Sequence, residues 1–392
     1  MSSASRRVPC PAVNTGRRRW LAGALAAPWL LGHGPAVQAQ QATLQIGQSA
    51  ALTGPLGELG QALQHGAQAG FASVNRSGGV HGRQIVLTTL DDGYAVERAV
   101  ANVTQLLARP ECFALFGCMG TPTVKATLAQ VNAAGVPLFA PFTGSQSTRA
   151  AGARHVFNIR ASYADEVEKI MQHLTALRIQ RVGVVTQANS FGQEVLDQVQ
   201  ASAARLKLPA LATATVQDDG RDALAASRLM ASAAPQAIIM GLAGAAALSF
   251  VQTFRPMNAT TALYAMSVHG TPASLNTLRT HAKDMGITQV VPLPEIGNTP
   301  LVREFQQAWK GLGQTKEPSH TALEGYINAR AFAEALQRAG KNPTRAAFID
   351  ATWGLQQWDM GGFQLNASTP EHSASRFVEL TMVVGGAGQL RR

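Results

Sequence analysis

Several kinds of chemistry are missing from this chain of 392 residues. It has no G-x-x-x-x-G-K-[ST] phosphate loop, no G-x-G-x-x-G after its first strand-like run, no G-x-S-x-G elbow and no H-E-x-x-H. Nucleotide cradling, serine hydrolysis and zinc hydrolysis therefore have no motif to stand on. The nine histidines are scattered without metal-ligand spacing, and His65, His81 and His173 read as residues of solvated helix or turn surfaces. We expect no metal, no cofactor and no enzymatic activity. A repeat of roughly 20 to 50 residues is also missing, as is any low-complexity stretch, which excludes solenoids. Beyond residue 39 no apolar run approaches the ~20 residues that cross a bilayer. No Lys/Arg cluster is interleaved there with aromatics, so nucleic-acid binding has no footprint. Cysteine is scarce: outside the first 39 residues only Cys112 and Cys118 occur. If the residues between them form a strand, the rise of ~3.3 Å per residue sets them about 20 Å apart, beyond the ~7 Å limit of a disulfide. They read as buried thiols.

What is present begins with an export segment. Arg6, Arg7, Arg17, Arg18 and Arg19 are the only charged residues of the first 39, an apolar stretch runs from Trp20 to Leu31, and Val37-Gln38-Ala39 suits signal peptidase. We expect cleavage near Ala39 and a product outside the cytoplasm, in the periplasm. Arg17-Arg18-Arg19-Trp20-Leu21 resembles a twin-arginine motif, the alternative being an ordinary basic region for the general secretory route. These five arginines carry half of the formal +10, leaving 28 Lys+Arg against 23 Asp+Glu. A mild attraction for anionic ligands is all that this charge supports.

From Thr43 onward, short apolar runs alternate with amphipathic stretches, the sign of βαβ units and a parallel sheet. Candidate strands are Leu44 to Ala50, Gln84 to Leu90, Cys112 to Gly117, Pro137 to Ala140 and His155 to Ile159. The stretch after Gly93 places Val96, Ala99, Val100, Val103, Leu106 and Leu107 on one helical face. A helix carrying Val167, Ile170, Met171, Leu174 and Leu177 restarts the pattern, followed by strands at Arg181 to Val185, Ala237 to Gly241 and Ala262 to Met266. A single doubly wound domain seldom exceeds roughly 250 residues, so this length favours two lobes. Ser319 to Ala339 reads as a long helix, and Gln357 to Val384 as strands around a turn at Gly361-Gly362.

Small hydroxylated residues recur just past strand ends, the edge where open α/β sheets bind ligands. In Gly120-Thr121-Pro122-Thr123, Thr121 reads as an N-cap and Pro122 as the first helical residue, so free N–H groups would point at a cleft and attract a carboxylate. The alternative is an ordinary capped helix. Leu52-Thr53-Gly54-Pro55 and Pro141-Phe142-Thr143-Gly144-Ser145 follow other strands in the same way.

Leu52-Thr53-Gly54-Pro55 with Gly60, then Asn75, Gly78-Gly79-Val80-His81-Gly82-Arg83 and Asp91-Asp92, resemble the opening of the leucine/isoleucine/valine-binding family. Gly135-Val136-Pro137, Thr143-Gly144, Phe157-Asn158-Ile159-Arg160, Tyr163 with Asp165, and Ser190-Phe191-Gly192 extend the likeness over most of the chain. These are type I periplasmic solute-binding proteins of ABC transporters. The resemblance implies two α/β lobes, each with a doubly wound and mainly parallel sheet, joined by three hinge crossings. We place the crossings near Arg160 to Ser162, Val291 to Leu293 and Thr352. The first lobe then takes residues 40–160 and 294–352, and the second 161–293 and 353–392. The resemblance also implies that Thr121, Thr143 and Gly144 grip a ligand carboxylate and that Phe191 supplies an aromatic where Tyr is frequent. Family members that bind amino acids hold the ammonium with an acid near Ala265-Met266-Ser267-Val268-His269-Gly270, where this chain has none; Leu59 stands where many have an aromatic. Asp165 is a possible substitute, although a carboxylate at a helix start is already explained by the helix dipole. The expected ligand contacts are thus Leu59, Thr121, Pro122, Thr123, Thr143, Gly144, Tyr163, Asp165, Phe191, Ser267 and His269. The expected partners are a small carboxylate, either an amino acid or an aromatic or organic acid, and the permease of an importer, with the chain acting as a monomer. A sensory module for a membrane receptor and a secreted hydrolase are the alternatives.

Overall fold

A computed structural model describes residues 43–150, 154–368, 373–384 and 389–391; the expected export segment lies outside the described residues. Strands β1 (Thr43–Ala50), β2 (Gln84–Asp91), β3 (Cys112–Phe116), β4 (Leu138–Phe139) and β5 (Val156–Phe157) form one parallel sheet in the order β2-β1-β3-β4-β5. Helices α1 (Gly57–Arg76), α2 (Val96–Leu107) and α3 (Thr121–Ala134) connect them. Cys112 and Cys118 are buried and free.

The chain then enters α4 (Tyr163–Ala176) and builds a second sheet. Its parallel part alternates β6 (Val182–Gln187), α5 (Ser190–Arg205), β7 (Ala212–Val216), α6 (Ala223–Ala233), β8 (Ala237–Gly241), α7 (Gly244–Phe254), β9 (Ala262–Ala265), α8 (Pro272–Leu278) and β10 (Gly286–Gln289). After β10 the chain returns, and Val290 and Val291 are buried in the core of the first sheet. Helices α9 (Pro300–Gly311), α10 (His320–Arg338) and α11 (Arg345–Trp353) and the hairpin β11 (Trp358–Asp359) with β12 (Gln364–Leu365) follow there. Gly361 and Gly362, at φ +89° and +99°, make the turn of that hairpin, a backbone region that other residues rarely adopt. Last come β13 (Glu379–Val384), antiparallel to β10, and β14 (Gln389–Arg391), antiparallel to β13. The second sheet runs β14-β13-β10-β9-β8-β6-β7.

The final passage between the sheets differs from the sequence expectation. Leu355, Met360, Phe363, Leu365, Ala367 and Ala374 all belong to the first lobe's core, so residues 353–368 and 373–374 stay with that lobe and the chain does not cross at Thr352. Instead it leaves beside the first crossing, where Ala374 N donates to Asn158 O (2.8 Å) and Ser375 N to Ile159 O (2.9 Å). The reason is apolar burial: the hairpin around Gly361-Gly362 has a buried face that only the first lobe covers.

The first lobe is centred on Phe71, Phe116, Phe139, Phe332 and Phe348, whose rings meet one another at 4.8 to 6.3 Å. α1 and α10 approach so closely that a Cβ on Gly66 would lie 1.8 Å from Ala322 O, and one on Gly325 2.2 Å from Leu63 O. A further cluster spans both lobes, joining Leu56, Leu59, Met119 and Phe142 to Val167, Phe191, Ala243, Met266 and Val268. The two lobes are in contact through it.

Candidate functional site

Within that shared cluster lies a cavity of about 20 Å³, room for about one water molecule. Leu56, Leu59, Tyr94, Met119, Gly120, Thr121 and Phe142 line it from the first lobe, and Tyr163, Phe191, Ala243 and Val268 from the second. Its polar end is the start of α3. There Gly120, at φ +98°, is the N-cap, and a Cβ on it would meet the Tyr94 ring at 2.6 Å. Thr121 is consequently the first helical residue and not the cap that its sequence suggests; its hydroxyl caps nothing and instead meets Thr143 Oγ1 at 2.8 Å and the Tyr163 hydroxyl at 3.4 Å. Thr143 Oγ1 also accepts from Ser145 N (3.1 Å). Three hydroxyls thus converge beside a helix N-terminus, whose first N–H groups lack intrahelical acceptors and whose dipole favours an anion.

Glycine 144 places one of these hydroxyls. Its carbonyl accepts from Tyr163 N (2.9 Å), and a Cβ on it would fall 2.5 Å from the Tyr163 ring. The Tyr163 ring packs in turn on Phe191, 5.1 Å between centroids. Burial raises the Tyr163 phenol above its ordinary value although Arg160 opposes the shift, so it stays a neutral donor.

Behind the hydroxyls stands a buried charge network. Arg149 donates to Ser145 O (2.8 Å), to Ser373 Oγ (2.8 Å) and to Arg160 O (2.9 Å). Burial, reinforced by Arg160, lowers its guanidinium to about 10, which still leaves it charged at neutral pH. Arg160 lies 4.9 Å from the centroid of Phe142 and is paired with Glu166 (3.2 Å) and Glu324 (3.5 Å). Both Glu166 oxygens are occupied, by Ser267 N (2.7 Å), Ser267 Oγ (3.0 Å), Thr288 Oγ1 (2.6 Å) and Arg160. Burial raises Glu324 to about 7, with Arg160 opposing and Glu166 assisting. The network is balanced when both acids are ionised and gains positive charge as Glu324 takes up a proton.

Of the expected contacts, Leu59, Thr121, Tyr163 and Phe191 line the cavity, Thr143 touches it through Thr121, and Gly144 shapes it. The others are placed differently. Thr123 spends its hydroxyl on Met119 O and Gly120 O, and Pro122 is half-buried at the second helical position. Thr53, from the third hydroxylated turn, donates to Asp91 (2.7 Å) and does not reach the cavity. Asp165 closes a capping box with Ser162 and pairs with Arg376 (2.9 Å) along a groove of the second lobe. Ser267 serves Glu166. His269 is fully buried with neither ring nitrogen bonded, and burial lowers it to about 4; it is not among the lining residues. The sequence reading missed Leu56, Tyr94, Met119, Phe142, Ala243 and Val268. Between Ala265 and Gly270 it selected the polar residues, but Met266 and Val268 join the interlobe cluster while Ser267 turns to Glu166. His65 and His173 on helices and His81 in a turn are partly exposed, against Trp309, Tyr264 and Gln337 O respectively.

Two α/β lobes with mainly parallel sheets, chain crossings between them and a hydroxyl-capped cavity at their junction define a type I solute-binding protein. The chain belongs to the periplasmic binding protein family, whose model matches residues 43–387. It is similar to a substrate-binding periplasmic protein from Ralstonia solanacearum, at 30% identity and a TM-score of 0.81 over 88% of this chain and 99% of that one. A possible leucine/isoleucine/valine-binding protein from Rhodopirellula baltica SH 1 matches at 29% identity and a TM-score of 0.84, over 91% of this chain and 97% of that one. Among curated relatives, Leu/Ile/Val-binding protein homolog 3 from Brucella melitensis is 24% identical over 165 residues, which span 42% of this chain and 45% of that relative.

Proposed function

We propose that this chain is an exported receptor of an ABC importer, cleaved near Ala39, that closes without catalysis on a small organic or aromatic carboxylate in the cavity between its lobes. The observation that carries the reading is the Thr121–Thr143–Tyr163 hydroxyl cluster at the start of α3, set at one end of an otherwise apolar cavity. Behind it Arg149, whose hydrogen bonds go to hydroxyl and carbonyl oxygens, adds positive charge that favours an anion. Nothing comparable waits for an ammonium group. Among the described residues no carboxylate lines the cavity; Asp165 is tied to Ser162 and Arg376, and Glu166 has both oxygens bonded. An ammonium closed into this apolar space without a counter-charge would cost several kcal/mol.

The test is a thermal-shift panel pairing each amino acid with its 2-oxo or aryl analogue. Deaminated acids should raise the melting temperature, and Thr121→Ala should weaken the best of them about tenfold, the loss of a hydrogen bond to a charged group. Stabilisation by leucine, valine or phenylalanine but not by the matching acids would overturn the ligand class.

A further inference from the structure

At the start of α7 the second lobe meets the backbone of the first. A Cβ on Gly244 would lie 2.2 Å from Pro55 O, 3.1 Å from Pro55 C and 2.5 Å from Leu56 Cδ2, inside the roughly 3.5 Å at which nonbonded carbons rest. We propose that Gly244 sets how far this receptor closes: its missing side chain lets α7 seat on the Pro55 turn, and any side chain at 244 holds the lobes apart. The proposal rests on the reading of the chain as a closing receptor and is independent of the ligand's class.

Both backbones at this contact are anchored within their own lobes. On the second-lobe side Ala243 N donates to Gln187 Oε1 (3.0 Å) and Gly244 N to His269 O (3.2 Å), which tie the start of α7 to the end of β6 and to the segment after β9. On the first-lobe side Asp91 holds the turn, accepting from Leu52 N (2.8 Å), Thr53 N (3.2 Å) and Thr53 Oγ1 (2.7 Å). The Gln61 amide adds a bond to Leu52 O (2.8 Å). The Leu56 side chain can rotate away from a new Cβ, but the Pro55 carbonyl is main chain and cannot. Relief therefore comes from parting the lobes, by about 1 Å at this point.

The contact adjoins the ligand cavity. Leu56 and Ala243, the chain neighbours of Pro55 and Gly244, both line it, so a gap at 244 reaches the cavity wall. Close by, Ser274 Oγ of α8 donates to Glu58 Oε2 of α1 across the lobes (2.7 Å), and a separation of about 1 Å would take that bond out of range. Gly244 also has φ +53°, so alanine there would be strained within its own lobe. Asparagine tolerates that backbone region better yet carries the same Cβ, which separates backbone strain from the contact between lobes.

The experiment uses the ligand-free protein made without residues 1–39, spin-labelled through Lys125→Cys on α3 and Arg228→Cys on α6. Both positions are exposed, whereas Cys112 and Cys118 are buried. Electron–electron resonance reads the distance between the labels. Concentrated trimethylamine N-oxide drives closure without a ligand, because an excluded osmolyte favours burial of the apolar surface between the lobes. In the wild type the osmolyte should populate the closed distance. In Gly244→Ala and Gly244→Asn the closed fraction should fall about tenfold or more, the scale of overpacking a fixed contact, while Gly244→Asn keeps a cooperative melt. Closure of Gly244→Asn to the wild-type distance would overturn the role of Gly244 and leave the receptor reading intact. Loss of folding in Gly244→Asn would overturn it equally, since lobes free to part would relieve the contact. A wild type that never reaches the closed distance would overturn the closing reading and the proposal with it.

Discussion

Glu324 shows how much a single residue's surroundings decide. On α10 its carboxylate stands 3.5 Å from Arg160 and is 5% exposed, and burial moves its titration from the ordinary 4.5 to about 7. Between those two values the folded chain holds a proton that the unfolded chain has released. This group's contribution to stability is therefore fully present below about pH 4.5 and is lost as pH rises through 7. Glu324→Gln removes that titration with little change of shape. Measured by urea unfolding from pH 5 to 8, the variant should gain on the wild type as pH rises, by about 1 to 3 kcal/mol. A difference that does not vary with pH would show that Glu324 titrates like a solvated carboxyl. His269 works in the opposite sense, since burial holds it near 4 and its contribution is lost as pH falls; it acts equally in both proteins and cancels in the difference.

At the scale of elements, the first lobe depends on how closely two helices approach. α1 and α10 meet through Gly66, Gly70 and Gly325, where an added methyl would overlap the partner's backbone or, at Gly70, the Ala329 side chain at 2.6 Å. Gly325→Ala should destabilise the protein by at least about 2 kcal/mol in urea unfolding. Gly311→Ala, at the end of α9 where the nearest atom is 3.6 Å away, should stay within about 0.5 kcal/mol. Equal effects of the two would mean that the helix contact is softer than its geometry. The same scale explains which elements escaped the sequence reading. β7 is an edge strand with alternating exposure and little apolar run, and β10 is only four residues long. Neither contrasts with the loops around it, whereas β8, buried throughout, stands out in the composition.

For the whole molecule, the small cavity at Thr121 requires motion. Its ≈ 20 Å³ admits no organic acid unless the lobes part, and the crossings beside Arg160, at Val290 and near Ser375 are where such a hinge would turn. In small-angle scattering, the ligand-free protein made without residues 1–39 should show a larger radius of gyration than the closed structure gives, and a saturating acid from the stabilising panel should reduce it. A radius that already equals the closed value and does not respond to that acid would argue against opening in solution.

The sequence by itself determined the two α/β halves, because the alternation of apolar runs with helical spacing is a local pattern that survives without any neighbour. It also marked the turns carrying Thr121, Thr143 and Gly144, since glycine and hydroxyl residues past strand ends have local causes. Tertiary structure alone decided which side chains meet. The N-cap falls on Gly120 and not Thr121 because the Tyr94 ring leaves no room for a Cβ there. Asp165 leaves the cavity because Arg376, 211 residues away, pairs with it. Val268 lines the cavity in place of Ser267 because the buried Glu166 takes up the serine. The late hairpin joins the first lobe because only that lobe covers its apolar face. Each of these depends on a partner far along the chain, and burial and charge pairing with such partners leave no mark in local composition.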